Sequence, residues 1–288
     1  SDESDGRIKF ELYPAMQLGG APPELFDQAK DGVVDIIWTV LGYTPGRFPK
    51  SEVFELPFMI PNGEVGSAAF YNYVQENSAD EFAGVHVIAL HTHGPGLFHS
   101  KEPVTSLEDL NGMKVRGGSR IISDMLAELG AEPIGMPVPQ VTEALSKGVI
   151  DATTIPWEVT PSLRVAELVQ NHTGFTSQYG LYTQTFGFVM NMDSYNNLPD
   201  DLKAVIDANS GLETSRMFGR VMDNGDATGL SIAVNAGNNV VQLDEAETAR
   251  WIEAADPVVD RWLADMDGQG IDGQALLDAA RAAVAAEM

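Results

Sequence analysis

The feature that most narrows the folds open to this chain is the order strand, helix, strand near its start. Gly6 to Tyr13 reads G-R-I-K-F-E-L-Y, with Ile8, Phe10 and Leu12 on one face and Lys9, Glu11 and Tyr13 on the other. That alternation predicts a strand, ended by Pro14. Pro22 to Lys30 spaces Leu25, Phe26 and Ala29 as a helical stripe that stops at Asp31-Gly32. Val33 to Trp38 is apolar and β-branched, as suits a strand buried on both faces. The succession is a βαβ unit and implies a parallel sheet.

The pattern continues downstream. Strands are expected at Val85–Leu90, Met113–Arg116, Val149–Thr153 and Thr185–Asn191. Ser119 is placed to cap a helix over Arg120–Leu129 that Gly130 closes, and Pro139–Lys147 forms another that Gly148 closes. From Asp200 the chain reads as helical to about Leu230, then from Glu245 to Met266, then from Gly273 to Met288. With 288 residues there is room for two lobes. No repeat or Gly/Ser linker separates them, so strand crossovers are expected to join them.

Composition removes several function classes. The chain carries 42 acidic against 17 basic residues, the opposite of what phosphate recognition needs, so nucleic acid is not expected as a partner. Absence of Cys excludes disulfides, thiolate chemistry and Cys-ligated metals. No apolar run approaches the roughly 18–20 residues of a membrane span. The sequence opens without a leader, so export would imply a signal peptide already removed.

Few residues could carry chemistry. His91, His93 and His99 cluster in H-T-H-G-P-G-L-F-H, and an H-x-H pair can ligate zinc. No Cys or neighbouring carboxylate completes a set, so polar strand ends are the plainer reading and no metal is expected. One of His91 and His93 could still face a ligand. Ser119 lacks the G-x-S-x-G elbow of a nucleophile, and Gly117-Gly118 is too short for a dinucleotide fingerprint. No carboxylate pair stands in an apolar context that would split its pKa values. No catalytic residue or cofactor is therefore expected. Arg116 stands apart, at the C-terminal end of a strand just before a helix start, the edge where open α/β sheets bind ligands. Its planar fork matches a carboxylate, and the helix N-terminus favours the same charge. The alternative is a surface arginine paired with one of the many acids.

Several ordered segments resemble the solute-binding subunits of tripartite ATP-independent periplasmic (TRAP) transporters. They are G-R-I-K-F-E-L-Y-P-A-M-Q-L-G-G at 6–20, K-D-G-V-V-D-I at 30–36 and F-E-L-P-F-M-I at 54–60. S-L-E-D-L-N-G-M-K-V-R at 106–116, A-E-P-I-G-M-P-V-P-Q-V-T-E-A-L-S-K-G-V-I-D at 131–151 and Y-N-N-L-P-D-D-L-K-A-V-I at 195–206 follow. The resemblance implies an α/β, two-lobed periplasmic binding protein fold with mixed sheets flanked by helices and a long helix crossing both lobes. Lobe I would comprise 1–94 plus 186–226, and lobe II 95–185 plus 227–288. The family's usual first strand and helix, ahead of the position of Gly6, are not in this sequence. Arg116 falls on the family's carboxylate-binding arginine. Arg120 falls outside that motif and is expected on the helix surface.

The same resemblance implies a periplasmic monomer that closes on a small carboxylate and hands it to small and large membrane subunits. Sialic-acid-binding members carry a second arginine near the position of Gly96, and many members place Asn before the proline where this chain has Ile155-Pro156. Both departures make the pocket less polar and argue against a hydroxyl-rich sugar acid. Aromatic residues are expected to line it instead: Trp38, Phe98, Trp157 and Phe186, with His93 beside them. Thr153, Thr154 and Gln184 would supply placed polar groups, and Tyr43 and Met136 are further candidates. The expected ligand is an aromatic or branched apolar monocarboxylate, a 2-oxo or 2-hydroxy acid among the options. An α/β enzyme acting on a carboxylate and a ligand-binding sensor module are the alternative readings.

Overall fold

A computed structural model describes residues 2–288. Among these residues nine strands form two sheets. β1 (Ile36–Val40), β8 (Thr185–Asn191) and β2 (Val85–Thr92) make a three-stranded antiparallel sheet in the order β1-β8-β2. The second sheet runs β5-β4-β6-β3-β7-β9, from β3 (Leu97–Ser100), β4 (Lys114–Gly117), β5 (Glu132–Gly135), β6 (Ala152–Ile155), β7 (Asn171–Phe175) and β9 (Asn239–Leu243). It is mixed: β4 lies parallel to β5 and β6, and β7 parallel to β9, whereas β3 is antiparallel to β6 and β7.

Helices cover both sheets. They are α1 (Leu25–Lys30), α2 (Gly63–Tyr73), α3 (Arg120–Glu128), α4 (Val141–Ser146), α5 (Thr160–Leu163), α6 (Val165–Leu168), α7 (Met192–Asn196), α8 (Asp200–Ala208), α9 (Leu212–Asn235), α10 (Glu245–Gly268) and α11 (Gly273–Glu287). Ser119 caps α3 as its sequence predicts, its hydroxyl accepting from the Ile122 N–H at 3.3 Å. No described helix is long and apolar enough to cross a membrane.

The opening βαβ expectation fails in two ways. Gly6–Tyr13 forms no strand: no strand of the three-stranded sheet pairs with it, and Phe10 and Leu12 are 61% and 84% exposed. Alternation alone cannot make a strand, because its N–H and C=O groups need a neighbour's. β1 begins at Ile36, later than expected, and its only partner is antiparallel β8, so this sheet is not parallel. The predicted long helix from Asp200 is also two helices, because Gly211, at φ +95°, breaks it between α8 and α9.

Close backbone approach lets α9 cross the whole molecule. At Gly219 a Cβ would lie 2.1 Å from the Gly63 carbonyl of α2, and at Gly229 2.0 Å from the Trp157 carbonyl. Between these points Asp223 accepts from the N–H groups of Gly63 and Glu64 at the start of α2. Asp226 accepts from the Glu158 N–H at 2.8 Å. One helix is thus fastened to elements beside both sheets.

Candidate functional site

Arg116 is completely buried at the end of β4. Its Nε–H donates to the Met136 carbonyl at 2.9 Å and its Nη1 to the Thr154 carbonyl at 3.3 Å. The guanidinium therefore lies across the ends of β4, β5 and β6, held in plane by two carbonyls. Its Nη2 has no hydrogen-bond partner among the described residues, and no described acid pairs with it. A cation removed from water without a counter-charge is costly unless an anion can reach it. The alternative of a surface arginine paired with an acid is thereby excluded.

Arg120, expected on the helix surface, lies half-buried at the start of α3 and behaves in the opposite way. It forms ion pairs with Glu52, Asp265 and Asp124, tying the start of α3 to the 51–55 turn and to α10. Tyr43 makes a second tie across the same gap, its hydroxyl accepting from the Val138 N–H at 2.9 Å. A groove of about 320 Å³ lies between these segments, with Gly42 and Tyr43 on one wall and Gly117, Ser119 and Met136 on the other.

Of the expected lining residues, several converge near Arg116. His93 is buried, and the Arg116 charge adds to burial in lowering its pKa to about 4. Its Nδ1 faces the Gly94 carbonyl and so carries the proton, while Nε2 accepts from the Gln184 N–H at 3.1 Å. Phe186 packs edge-on against His93 at 5.9 Å, and Trp38 stacks on Phe186 at 5.4 Å. Trp38 is one ring farther out and 48% exposed, its indole N–H donating to His91 Nε2 at 2.7 Å. The Gln184 side chain closes against Gly118, where a Cβ would meet Oε1 at 2.3 Å. Among the described residues its Nε2 has no hydrogen-bond partner, nor has the buried Thr153 Oγ1. The Thr154 hydroxyl is occupied, donating to the Arg116 carbonyl at 3.1 Å.

Trp157 stands half-buried at the end of β6, against a pair of buried histidines at ring distances of 5.0 Å to His99 and 4.9 Å to His172. The bonds fix the tautomers. His99 Nε2–H donates to the Ile155 carbonyl, and His172 Nδ1–H donates to His99 Nδ1 at 2.7 Å. Asn238 Nδ2 donates to His172 Nε2 at 3.0 Å. His91, His93 and His99 thus turn to separate partners and do not converge.

Phe98 is the candidate that the structure moves elsewhere. It is fully buried and packs on Trp251 at 5.4 Å and Phe175 at 6.4 Å, inside the main apolar core. Adjacent strand residues point to opposite faces, so Phe98 faces the helices while His99 faces Trp157.

Two residues that the sequence reading passed over complete the site. Glu55 stands alone in the run V-F-E-L-P-F and is fully buried, a single carboxylate where only pairs had been sought. Its Oε1 accepts from the Thr185 N–H at 3.0 Å and the Thr185 hydroxyl at 2.8 Å, while Oε2 has no partner meeting hydrogen-bond geometry. Burial pushes its pKa up to about 7, with the nearby Ser119 hydroxyl and Thr185 pulling the other way. Tyr182 is buried beside both charged groups. Burial raises its pKa to about 12, the Arg116 cation and the nearby Thr154 hydroxyl oppose that rise, and Glu55 reinforces it. A single acid within an apolar run was the available signal for Glu55. Tyr182 offered none.

The histidines give a pH prediction. Burial holds His91 and His99 down at about 3 and His93 and His172 at about 4. Each lies below the unfolded value, so the proton binds mainly to the unfolded chain. The stability each ring contributes is full above about pH 6.5 and is lost as pH falls toward its folded pKa. Glu55, Glu81 and Glu158, raised to about 7, act with the opposite sign between roughly pH 4.5 and 7. Expected outcomes are neutral rings by imidazole ¹⁵N shifts at pH 5 and a steep loss of unfolding free energy below about pH 4.5. Imidazolium shifts at pH 5 would contradict the buried network.

Comparison with known proteins now adds to the geometry. Residues 1–265 match the family model described as bacterial extracellular solute-binding protein, family 7. The chain is 50% identical, with a TM-score of 0.97, to a TRAP solute-binding protein from Rhodoferax ferrireducens T118 solved with copurified benzoate. That match covers 99% of this chain and 89% of the other. It is 45% identical, at a TM-score of 0.98, to a marine metagenome TRAP protein specific for aromatic acid ligands, crystallised with 3-hydroxybenzoate. Coverage there is 99% of this chain and 90% of that one. A Bordetella bronchiseptica TRAP periplasmic protein with bound (R)- and (S)-mandelate is 30% identical at a TM-score of 0.89, covering 98% and 90% of the two chains. These relatives are receptors and not enzymes, and the two sheets bridged by α9 have the architecture of their fold. The chain belongs to the bacterial extracellular solute-binding proteins of family 7, the solute receptors of TRAP transporters.

Proposed function

We propose that this chain is a periplasmic receptor for small aromatic monocarboxylates, which it delivers as a monomer to the small and large membrane subunits of a TRAP transporter. One observation carries the reading: Arg116 is a buried cation with no acid partner among the described residues, its Nε and Nη1 spent on carbonyls and its Nη2 free. A carboxylate docking on it supplies the missing charge and accepts the free N–H. Phe186, His93 and Trp157 offer ring faces nearby, and only a few polar atoms around them are uncommitted. That balance suits an aromatic acid better than a sugar acid. The benzoate, hydroxybenzoate and mandelate bound by the similar proteins support the same class.

Lobe I holds the three-stranded sheet and lobe II the six-stranded one, with Arg116 in the second and Glu55 and Tyr43 in the first. We keep the lobe boundaries read from the sequence except at the C-terminus, where the packing of α11 on α2 favours assigning it to lobe I. Closure draws the lobes together around the ligand, with Tyr43–Val138 and Arg120–Glu52 as the ties that form on closing. Ligand contacts to both lobes shift the open–closed balance.

The test is isothermal calorimetry, supported by thermal shift, with benzoate, the monohydroxybenzoates, mandelate and glucuronate. Micromolar or tighter binding of at least one aromatic acid is expected, and no binding of glucuronate. Such an affinity at 100 times its Kd raises stability by about 2.7 kcal/mol. Silence toward every aromatic acid, or a preference for glucuronate, would overturn the reading.

A further inference from the structure

We infer that Glu55, Tyr182 and Gln184 form a second polar subsite, opposite Arg116, that recognises a hydroxyl group on the ring of the bound acid. The inference rests on the proposed binding of aromatic carboxylates. It starts from a shortage of partners. Glu55 Oε2, the Tyr182 hydroxyl and Gln184 Nε2 are all buried in the same neighbourhood, and among the described residues none has a partner meeting hydrogen-bond geometry, although the Ser119 hydroxyl lies beside Glu55 and the Thr154 hydroxyl beside Tyr182. Buried polar groups are normally satisfied, and three unsatisfied atoms together demand an explanation.

Their placement supplies one. Glu55 Oε1 is fixed by Thr185, the residue after Gln184. Oε2 is thereby left beside Gly42 and Ser119, where a Cβ on Gly42 would stand 3.3 Å from it and 2.5 Å from the Ser119 Cβ. Gly42 and Ser119 are opposite walls of the groove. Tyr182 links the two ends electrostatically, because its hydroxyl feels the Arg116 cation and the Glu55 carboxyl at once. Gly96 makes room for that ring, since a Cβ there would lie 2.1 Å from Tyr182 Cε1.

The three groups also have complementary chemistry. A carboxyl oxygen accepts, an amide NH₂ donates, and a phenol does either. A ligand hydroxyl donates to Glu55 Oε2 and accepts from Gln184 Nε2 or the Tyr182 O–H. A ring without that hydroxyl leaves the same atoms buried and unpaired, which penalises it. Arg116 belongs to lobe II and Glu55 to lobe I, so a hydroxylated acid ties the lobes together through its two ends.

The experiment compares Kd values for benzoate and the three monohydroxybenzoates in the wild-type protein, Glu55→Gln, Glu55→Met and Tyr182→Phe. At least one hydroxybenzoate is expected to bind wild type ten-fold or more tighter than benzoate. In Glu55→Met that preference falls below about three-fold. Tyr182→Phe, which removes one oxygen, lowers the preference several-fold. Glu55→Gln keeps the Thr185 bonds and serves as the folded variant should Glu55→Met unfold, and it too narrows the preference. Equal affinities in wild type, or a preference that survives both the Glu55 and Tyr182 changes, would overturn the subsite. Failure of the wild-type protein to bind any of the four acids would instead overturn the function on which it rests.

Discussion

Arg116→Ala is expected to weaken binding of benzoate-type acids by roughly 10²- to 10³-fold, the usual consequence of removing one partner of a buried charge pair. The size follows from the site. Arg116 is wholly buried, and two carbonyls orient its fork without neutralising it. In a groove shielded from water the carboxylate loses its hydration and gains this one full positive charge. The nearest alternatives cannot replace it: Arg120 is committed to Glu52 and Asp265, and His93 is held neutral at pH 7. The unliganded variant should fold at least as stably as the parent, because it loses an uncompensated buried charge together with two hydrogen bonds. Arg116→Lys keeps the charge but not the planar fork and should fall between the two. Calorimetric Kd values and melting temperatures separate these effects. A Kd within five-fold of wild type in Arg116→Ala would show that the carboxylate sits elsewhere.

Much of this was legible in the sequence, for identifiable reasons. β8 occupies the span its apolar run predicts, Thr185–Asn191, because a central strand buried on both faces needs continuous apolar residues. Arg116 was visible as a charge at the end of a short strand, just ahead of a capped helix. Some short elements left no signal. β3 and β5 are four residues each, and β5 contains Pro133, so no period has room to show, whereas the equally short β4 and β6 were expected, β6 three residues early. α2 was missed because it is buried almost all round and displays no polar stripe. The polar subsite was illegible for a different reason: Glu55 finds Thr185 130 residues away, and only the fold makes them neighbours. Alternation also misled where it was strongest, at Gly6–Tyr13, since pattern describes a strand's faces and says nothing about who pairs with its edges.

Phe98→Ala is expected to cost about 3–5 kcal/mol of stability, as large aromatic truncations in cores do, and to leave ligand affinity within about three-fold of wild type. The sequence reading placed Phe98 in the pocket, because its strand ends near the predicted cleft. The register of β3 decides otherwise. Phe98 lies opposite Thr154 and Thr173, whereas His99 lies opposite Thr153 and His172, so the two neighbours look to different faces of one sheet. The His99 face receives Trp157, and the Phe98 face receives Phe175 and Trp251. Trp251 is itself fully buried on α10 and tied through its indole N–H to Glu247 at 3.0 Å, so the packing has little room to collapse into a cavity. For a chain of this size a loss of that order lowers Tm by roughly 6–15 °C. Trp157→Ala should divide the other way, with a smaller stability loss and weaker binding, because its ring is half-buried and is proposed to offer a face to the ligand. Measuring Tm and Kd for both variants puts the two aromatic residues on opposite axes. Were Phe98→Ala to lose affinity ten-fold at a nearly unchanged Tm, the face assignment of β3 would be wrong, and the aromatic wall of the pocket would have to be rebuilt around Phe98.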